Sequence, residues 1–198
     1  MPCLNLQNML IVSQNITNYD IPVPENAIFR INLAWINSID ELTKILEIHN
    51  ERKIFLDLPI NRTKPPNNKY TLNEIIKIIK THTNIEYFAI SNVESKNDLS
   101  EYIEKLPNSI TLVPKIESHI GIENIEEIAK SLDYKSRVMM LDHDDLYSNL
   151  LKSKQPLEKF TVYINQLTEF CKLNNIVLLR TIGVIFSDDE KRISSYVN

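Results

Sequence analysis

Two short runs concentrate the side chains that could do chemistry. In SITLVPKIE (109–117), Lys115 and Glu117 stand two residues apart. Alternate residues of a strand share one face, so this spacing puts an ammonium and a carboxylate side by side. In RVMMLDHDD (137–145), an apolar stretch ends in Asp142, His143, Asp144 and Asp145. Carboxylates from two strand ends are the donors a hard divalent cation takes. Glu117 and Asp145 would give two oxygens to Mg²⁺ or Mn²⁺ and leave the remaining positions to water and substrate. An ion so held binds a 2-oxo acid through its carboxylate and carbonyl oxygens and stabilises the enolate formed on ionisation. The plainer alternatives are a buried Lys–Glu pair with no further role and a solvated helix cap built from the aspartates.

The elements that must position these groups follow from hydrophobic periodicity. Strands are expected at 9–14, 27–35, 53–60, 86–93, 109–117, 137–144 and 175–186. Helices are expected at 38–50, 71–82, 95–106, 122–132, 156–174 and from Ser187 to about Tyr196. Ser38 with Glu41 and Thr71 with Glu74 have the spacing of capping boxes, and Pro156 suits a first helical turn. Pro65-Pro66-Asn67-Asn68 marks a loop. The strands are nearly all apolar, as strands covered on both faces are. Alternation without hairpin signals predicts an α/β fold with a mostly parallel sheet, as in a small, incomplete (β/α)₈ TIM-like barrel. Seven strands leave it one short, and residues 1–26 read as a divergent N-terminal segment of one domain spanning 1–198.

In such folds, polar residues where apolar strands hand over to loops are functional candidates. By that criterion Arg30 and Asn32 in IFRINLAW, Asp57 in KIFLD, and Ser91 and Asn92 in YFAISN join the Lys115 and Asp142 groups.

Composition removes other classes. The formal net charge is −4, and basic residues form no stripe interleaved with aromatics, so nucleic acid is not an expected partner. Apolar runs are too short to span a membrane, and the N-terminus lacks the features of a signal peptide. Cys3 and Cys171 form no CxxC pair, which points to a reduced, cytoplasmic-type protein. With only two glycines, Gly121 and Gly183, a glycine-rich phosphate loop cannot be written. His49 and His82 end helices, and Trp35 reads as core or barrel-mouth packing. His119 and His143 stand near the carboxylates and are candidates for substrate contact and base.

KIESHIGIENIEEIAKSLD followed by VMMLDHDDL resembles the Mg²⁺ segment of pyruvate kinases, with its K-I-E strand, glycine-started helix and R-G-D-L strand end. FRINLAW, FLDLPINRTK, YFAISNVESKNDLSEY and LEKFTVYINQLTEFCKLNNIVLLRT are similar to further segments of that family, in the same order, over about 27–186. The chain also resembles the wider phosphoenolpyruvate- and pyruvate-binding barrels, which include citrate lyase β-like proteins and metal-dependent 2-oxo-acid aldolases. The resemblance implies that Glu117 and Asp145 bind Mg²⁺ and that Lys115 sits beside the transferred phosphoryl group or enolate oxygen. Arg30 would bind phosphate or the oxyanion, and Thr181 would lie near the enolate carbon. Asn32 and Asp57 match ligands of the kinases' monovalent-cation site. Together with Ser91 and His143 they complete the set of substrate-binding candidates.

The departures from the family pattern are specific. Ala34 replaces a serine of the monovalent-cation site, and His143 and Asp144 replace the arginine and glycine before the metal aspartate. Between Asp57 and Tyr87 there is no room for the kinases' lid domain, and an eighth strand and C-terminal domain are not expected. The chemistry implied is metal-dependent action on pyruvate, phosphoenolpyruvate or a related 2-oxo acid, as kinase-like transfer or C–C lyase. The competing reading is a barrel that has lost turnover and serves as a binding or scaffold protein. A homodimer is expected, because an incomplete barrel leaves edges to cover.

Overall fold

Strand interiors are fixed by burial: Ile54–Leu58 is buried at every position, Asp57 included, and Val138–Leu141 is buried throughout. The computed structural model describes residues 9–18, 22–60, 68–132 and 136–180. Its strands are β1 (Ile11–Ser13), β2 (Ile28–Asn32), β3 (Ile54–Leu58), β4 (Ile85–Ile90), β5 (Thr111–Ile116), β6 (Val138–Leu141) and β7 (Val177–Arg180). Its helices are α1 (Ile39–Ile48), α2 (Leu72–Thr81), α3 (Asn97–Lys105), α4 (His119–Glu123), α5 (Ile125–Lys130), α6 (His143–Lys152) and α7 (Lys159–Leu173). Strand order follows the chain from β1 to β7. The registered pairs are parallel. This is the α/β, incomplete TIM-like barrel class expected from the alternation of elements.

The chain divides into two compact units, Met1–Ser91 with Tyr102–Leu112, and Asn92–Glu101 with Val113–Asn198. In the first, Phe29, Ile31, Leu42, Leu56, Ile75 and Phe88 are buried. Its register sets Asn32 opposite Asp57. In the second, Val113, Ile116, Ile122, Leu141, Leu146 and Leu167 are buried. Its register sets Ile116 opposite Leu141, and Leu141 opposite Arg180, so β5, β6 and β7 end almost level.

Several boundaries differ from expectation for local reasons. The expected strand 27–35 stops at Asn32, whose side chain accepts a hydrogen bond from the Ala34 N–H at 3.0 Å and turns Leu33–Trp35 into a 3₁₀ helix. That turn leaves Trp35 67% exposed, not packed in a core. The Ser38 box is displaced: Ser38 Oγ caps the Glu41 N–H at 3.1 Å, but Glu41 reaches back to the Asn37 N–H. The Thr71–Glu74 box is complete. Gly121 lies inside α4 instead of preceding a helix, and the expected helix 122–132 is broken at Asn124. The strand expected to run to 144 ends at Leu141, because Asp142 caps α6, a helix not read from the sequence. Pro156 and Leu157 lead into α7 through their carbonyls, which accept from the Lys159 and Phe160 N–H groups, so the helix starts at Lys159. The expected helix from Ser187, the end of the strand 175–186, Cys3 and most of the Pro65 loop lie outside the described residues. No described helix is long and apolar enough to cross a membrane.

Candidate functional site

The end of β5 carries the expected pair. Lys115 Nζ lies 2.7 Å from Glu117 Oε1, with both side chains buried. The second carboxylate oxygen, Oε2, accepts the Asn92 N–H at 2.8 Å. Asn92 presents that N–H from a left-handed backbone conformation, φ 53°, which asparagine tolerates better than most residues. The next residue, Val93, donates its N–H to the Lys115 carbonyl at 3.1 Å. Gly121 closes this arrangement from the helix side. A Cβ there would stand 2.6 Å from the Val93 carbonyl oxygen, so only glycine lets α4 approach so closely.

Asp142, one residue past β6, and Asp145, in the first turn of α6, bring two further carboxylates. One oxygen from each of Glu117, Asp142 and Asp145 lies within 4.8 Å of the others. The Asp145 N–H donates to Asp142 Oδ1 at 3.3 Å, the α6 cap. Burial raises the Glu117 carboxyl. The Lys115 ammonium opposes that rise, the Asp142 and Asp145 charges add to it, and the group is pushed up to about 7. An oxygen-only set at two strand ends, with Glu117 buried beside two further carboxylates, fits a hard divalent cation.

His143 opens α6 and is buried. Its Nε2 accepts from Arg180 Nη2 at 2.9 Å and from Arg180 Nε at 3.3 Å. Arginine has no acceptor, so Nε2 bears no proton in this contact. Burial and the guanidinium charge hold His143 below the usual imidazole range, with Asp142 opposing.

The other candidates fall as follows. Arg30 donates through Nη2 and Nε to Oδ2 of fully buried Asp57. Asn32 is the cap of the 3₁₀ turn. Ser91 is buried, and its N–H donates to the Leu58 carbonyl at 3.2 Å. Thr181 lies outside the described residues. His119 Nδ1 is 3.0 Å from Asn149 Oδ1. His49 is buried edge-on against Phe29, and His82 Nδ1 is 3.0 Å from the Ile78 carbonyl oxygen. The structure thus joins Lys115, Glu117 and Asp145, adds Asp142 as a third carboxylate, and pairs Arg30 with Asp57. Arg180 went unread because it sits inside the expected strand 175–186. The signal was there: a lone cation after the apolar run IVLL.

No family model matches the chain. A pyruvate kinase of Methanocaldococcus jannaschii is 28% identical over 142 residues, which is 66% of this chain and 32% of that enzyme. The chain therefore spans about a third of its length. Among solved structures, RipC from Yersinia pestis matches with TM-score 0.60 at 14% identity, covering 91% of this chain and 77% of that one. An HpcH/HpaI aldolase/citrate lyase family protein from Burkholderia cenocepacia matches with TM-score 0.57 at 11% identity, covering 79% and 71%. The resemblance to pyruvate kinase and to aldolase/citrate lyase barrels thus stands, in sequence for the first and in fold for the second.

Proposed function

We propose that this chain is a divalent-metal-dependent enzyme acting on pyruvate, phosphoenolpyruvate or a related 2-oxo acid through an enolate, in the manner of pyruvate kinases. The observation that carries this reading is the convergence of Glu117, Asp142 and Asp145 beside the Lys115 ammonium. The partial likeness to a pyruvate kinase supports it. Glu117, Asp142 and Asp145 would hold Mg²⁺ or Mn²⁺, which supplies Lewis acidity toward the carbonyl oxygen of the substrate.

The chain's own residues do the rest. Lys115, buried where solvent screens little, holds a positive charge beside the place where the enolate oxygen develops. The Asn92 N–H and Lys115 fix both oxygens of Glu117 and so orient it. Arg30 and Thr181 are proposed, from the resemblance, for the oxyanion and for proton delivery at the enolate carbon. Asn32, Asp57 and Ser91 remain substrate-side candidates. The proposal also keeps 1–198 as a single barrel domain that acts as a cytoplasmic homodimer.

A second reading, a 2-oxo-acid aldolase or citrate lyase-like C–C lyase, is supported by the name of the Burkholderia structural neighbour. Both readings share the enolate, so one assay tests them together. The protein is incubated with pyruvate and Mg²⁺ or Mn²⁺ in D₂O, and the methyl signal is followed by NMR with Glu117→Gln alongside. Metal-dependent loss of the signal that the substitution abolishes is expected. Exchange at the buffer rate for pyruvate and several longer 2-oxo acids overturns the enzyme reading in favour of a binding or scaffold role.

A further inference from the structure

The three carboxylates of the cluster come from two places. Asp142 and Asp145 belong to the junction of β6 and α6, while Glu117 arrives from the junction of β5 and α4. One oxygen from each lies within 4.8 Å of the others, so their charges push the two junctions apart. The register of β5 on β6 runs through Ile116 and Leu141 and stops one residue short of Glu117 and of Asp142. Beyond it, the gap between the acids depends on how α4 is held against α6. A side-chain contact spans the two helices: His119 Nδ1 lies 3.0 Å from Asn149 Oδ1. An amide oxygen only accepts, so Nδ1 carries the proton and donates. His119 opens α4 two residues after Glu117, and Asn149 follows Asp145 by one turn on the same face of α6. The contact therefore closes a loop whose opposite side is the meeting of Glu117 with Asp145. The imidazole also meets the Tyr163 ring of α7, with centroids 6.4 Å apart and planes at 44°. The Tyr163 hydroxyl donates to Glu123 Oε1 at 3.4 Å, so α4 is fastened at both ends. Asparagine is a poor residue for a helix interior, and at 149 its amide oxygen serves this cross-link.

Resting on the cation reading of the carboxylate cluster, we propose that His119, through its hydrogen bond to Asn149, is a positioning residue that sets the gap between Glu117 and Asp145 and so tunes the site to a small divalent cation. Mg²⁺ needs a near-ideal octahedron of oxygens at about 2.0–2.1 Å, whereas Ca²⁺ accepts looser and more numerous oxygens at about 2.3–2.6 Å. A gap held by a side-chain strut therefore matters more to the smaller ion. His119 acts on the metal through α6 and not by ligation, and it is neither acid nor base in this arrangement.

The test is a competition titration of the full chain, in which Mg²⁺ or Ca²⁺ displaces Mn²⁺ followed by its EPR signal. It is run on wild type, His119→Leu, His119→Asn, Asn149→Ala and the double variant His119→Leu with Asn149→Ala. Wild type sets the reference ratio of Mg²⁺ to Ca²⁺ affinity. His119→Leu is expected to weaken Mg²⁺ about tenfold and Ca²⁺ by clearly less, so the ratio falls. Asn149→Ala does the same, although alanine suits a helix interior better than asparagine. The double variant is no worse than either single one, because both remove the same contact. His119→Asn, which keeps an N–H donor near the place of Nδ1, restores part of the ratio. A merely structural histidine would give neither the dependence on ion size nor the rescue. Metal-free melting curves identify any variant that fails to fold, and Asn149→Ala then carries the comparison. Unchanged Mg²⁺ affinity in both single variants overturns the inference, as does an equal loss for both ions or losses that add in the double variant. The pyruvate exchange assay separates the two readings. Exchange in wild type with no effect of either substitution on Mg²⁺ affinity sinks this inference and leaves the enolate reading standing. The expected affinity pattern without exchange does the reverse. Failure of wild type to bind Mn²⁺ sinks both.

Discussion

At the scale of single residues, Asp142 serves two roles that chemistry can separate. As the α6 cap it needs a side-chain oxygen, which asparagine supplies about as well as aspartate. As a cation ligand it needs charge. Asp142→Asn is therefore expected to keep the melting temperature within a few degrees while weakening Mn²⁺ binding roughly tenfold or more, read by titration. Glu117 is a second case. Its folded-state value of about 7 lies above the ordinary 4.5. A carboxyl raised in this way contributes its stability in full below about 4.5 and loses it as pH rises through 7. Glu117→Gln keeps the shape and removes the titration. Relative to wild type, the metal-free variant should gain stability between pH 5 and pH 8, by on the order of 2 kcal/mol, measured by urea denaturation at each pH. A difference that stays flat with pH would show that Glu117 is ionised throughout.

At the scale of elements, the site depends on how closely α4 can approach the Asn92–Val93 turn. Gly121→Ala drives a Cβ against the Val93 carbonyl, a backbone atom that yields little. The expected cost is about 1–3 kcal/mol by denaturation. Mn²⁺ affinity should fall as well, because the Asn92 N–H that steadies Glu117 shifts with the turn. Thr71→Ala, which removes a complete capping box far along the chain, should cost about 1 kcal/mol and leave Mn²⁺ affinity alone. This is also the scale at which the sequence was most and least informative. Strand periodicity placed Lys115 and Glu117 on one face because a two-residue repeat leaves no other choice. A helix cap was one of the readings open to the aspartates, but the apolar prelude to Asp142 reads as a longer strand, and that hid the helix α6 that it caps. The Asn92 contact was invisible, since a backbone N–H leaves no mark on residue type. Arg180 required knowing where β7 ends, and boundaries are what periodicity fixes least well.

At the scale of the whole molecule, a ligand that binds the folded chain alone must raise its stability. At a hundredfold excess over its dissociation constant, Mn²⁺ should add about 2.7 kcal/mol, visible as a higher melting temperature that Glu117→Gln lacks. No displacement at millimolar metal would remove the cation from the account. The net charge of −4 does not by itself draw a cation to one place. The three converging carboxylates, with Glu117 buried among them, do, so the effect should survive added monovalent salt better than surface attraction would. The turn that ends β2 has an optical consequence. Trp35 is the chain's one tryptophan and stands 67% exposed. The native protein should therefore fluoresce at the red, water-like end of the indole range and be readily quenched by acrylamide. Self-association that covers this turn would move the emission to the blue as protein concentration rises. The proposed dimer would thus be open to detection by light in unlabelled wild-type protein.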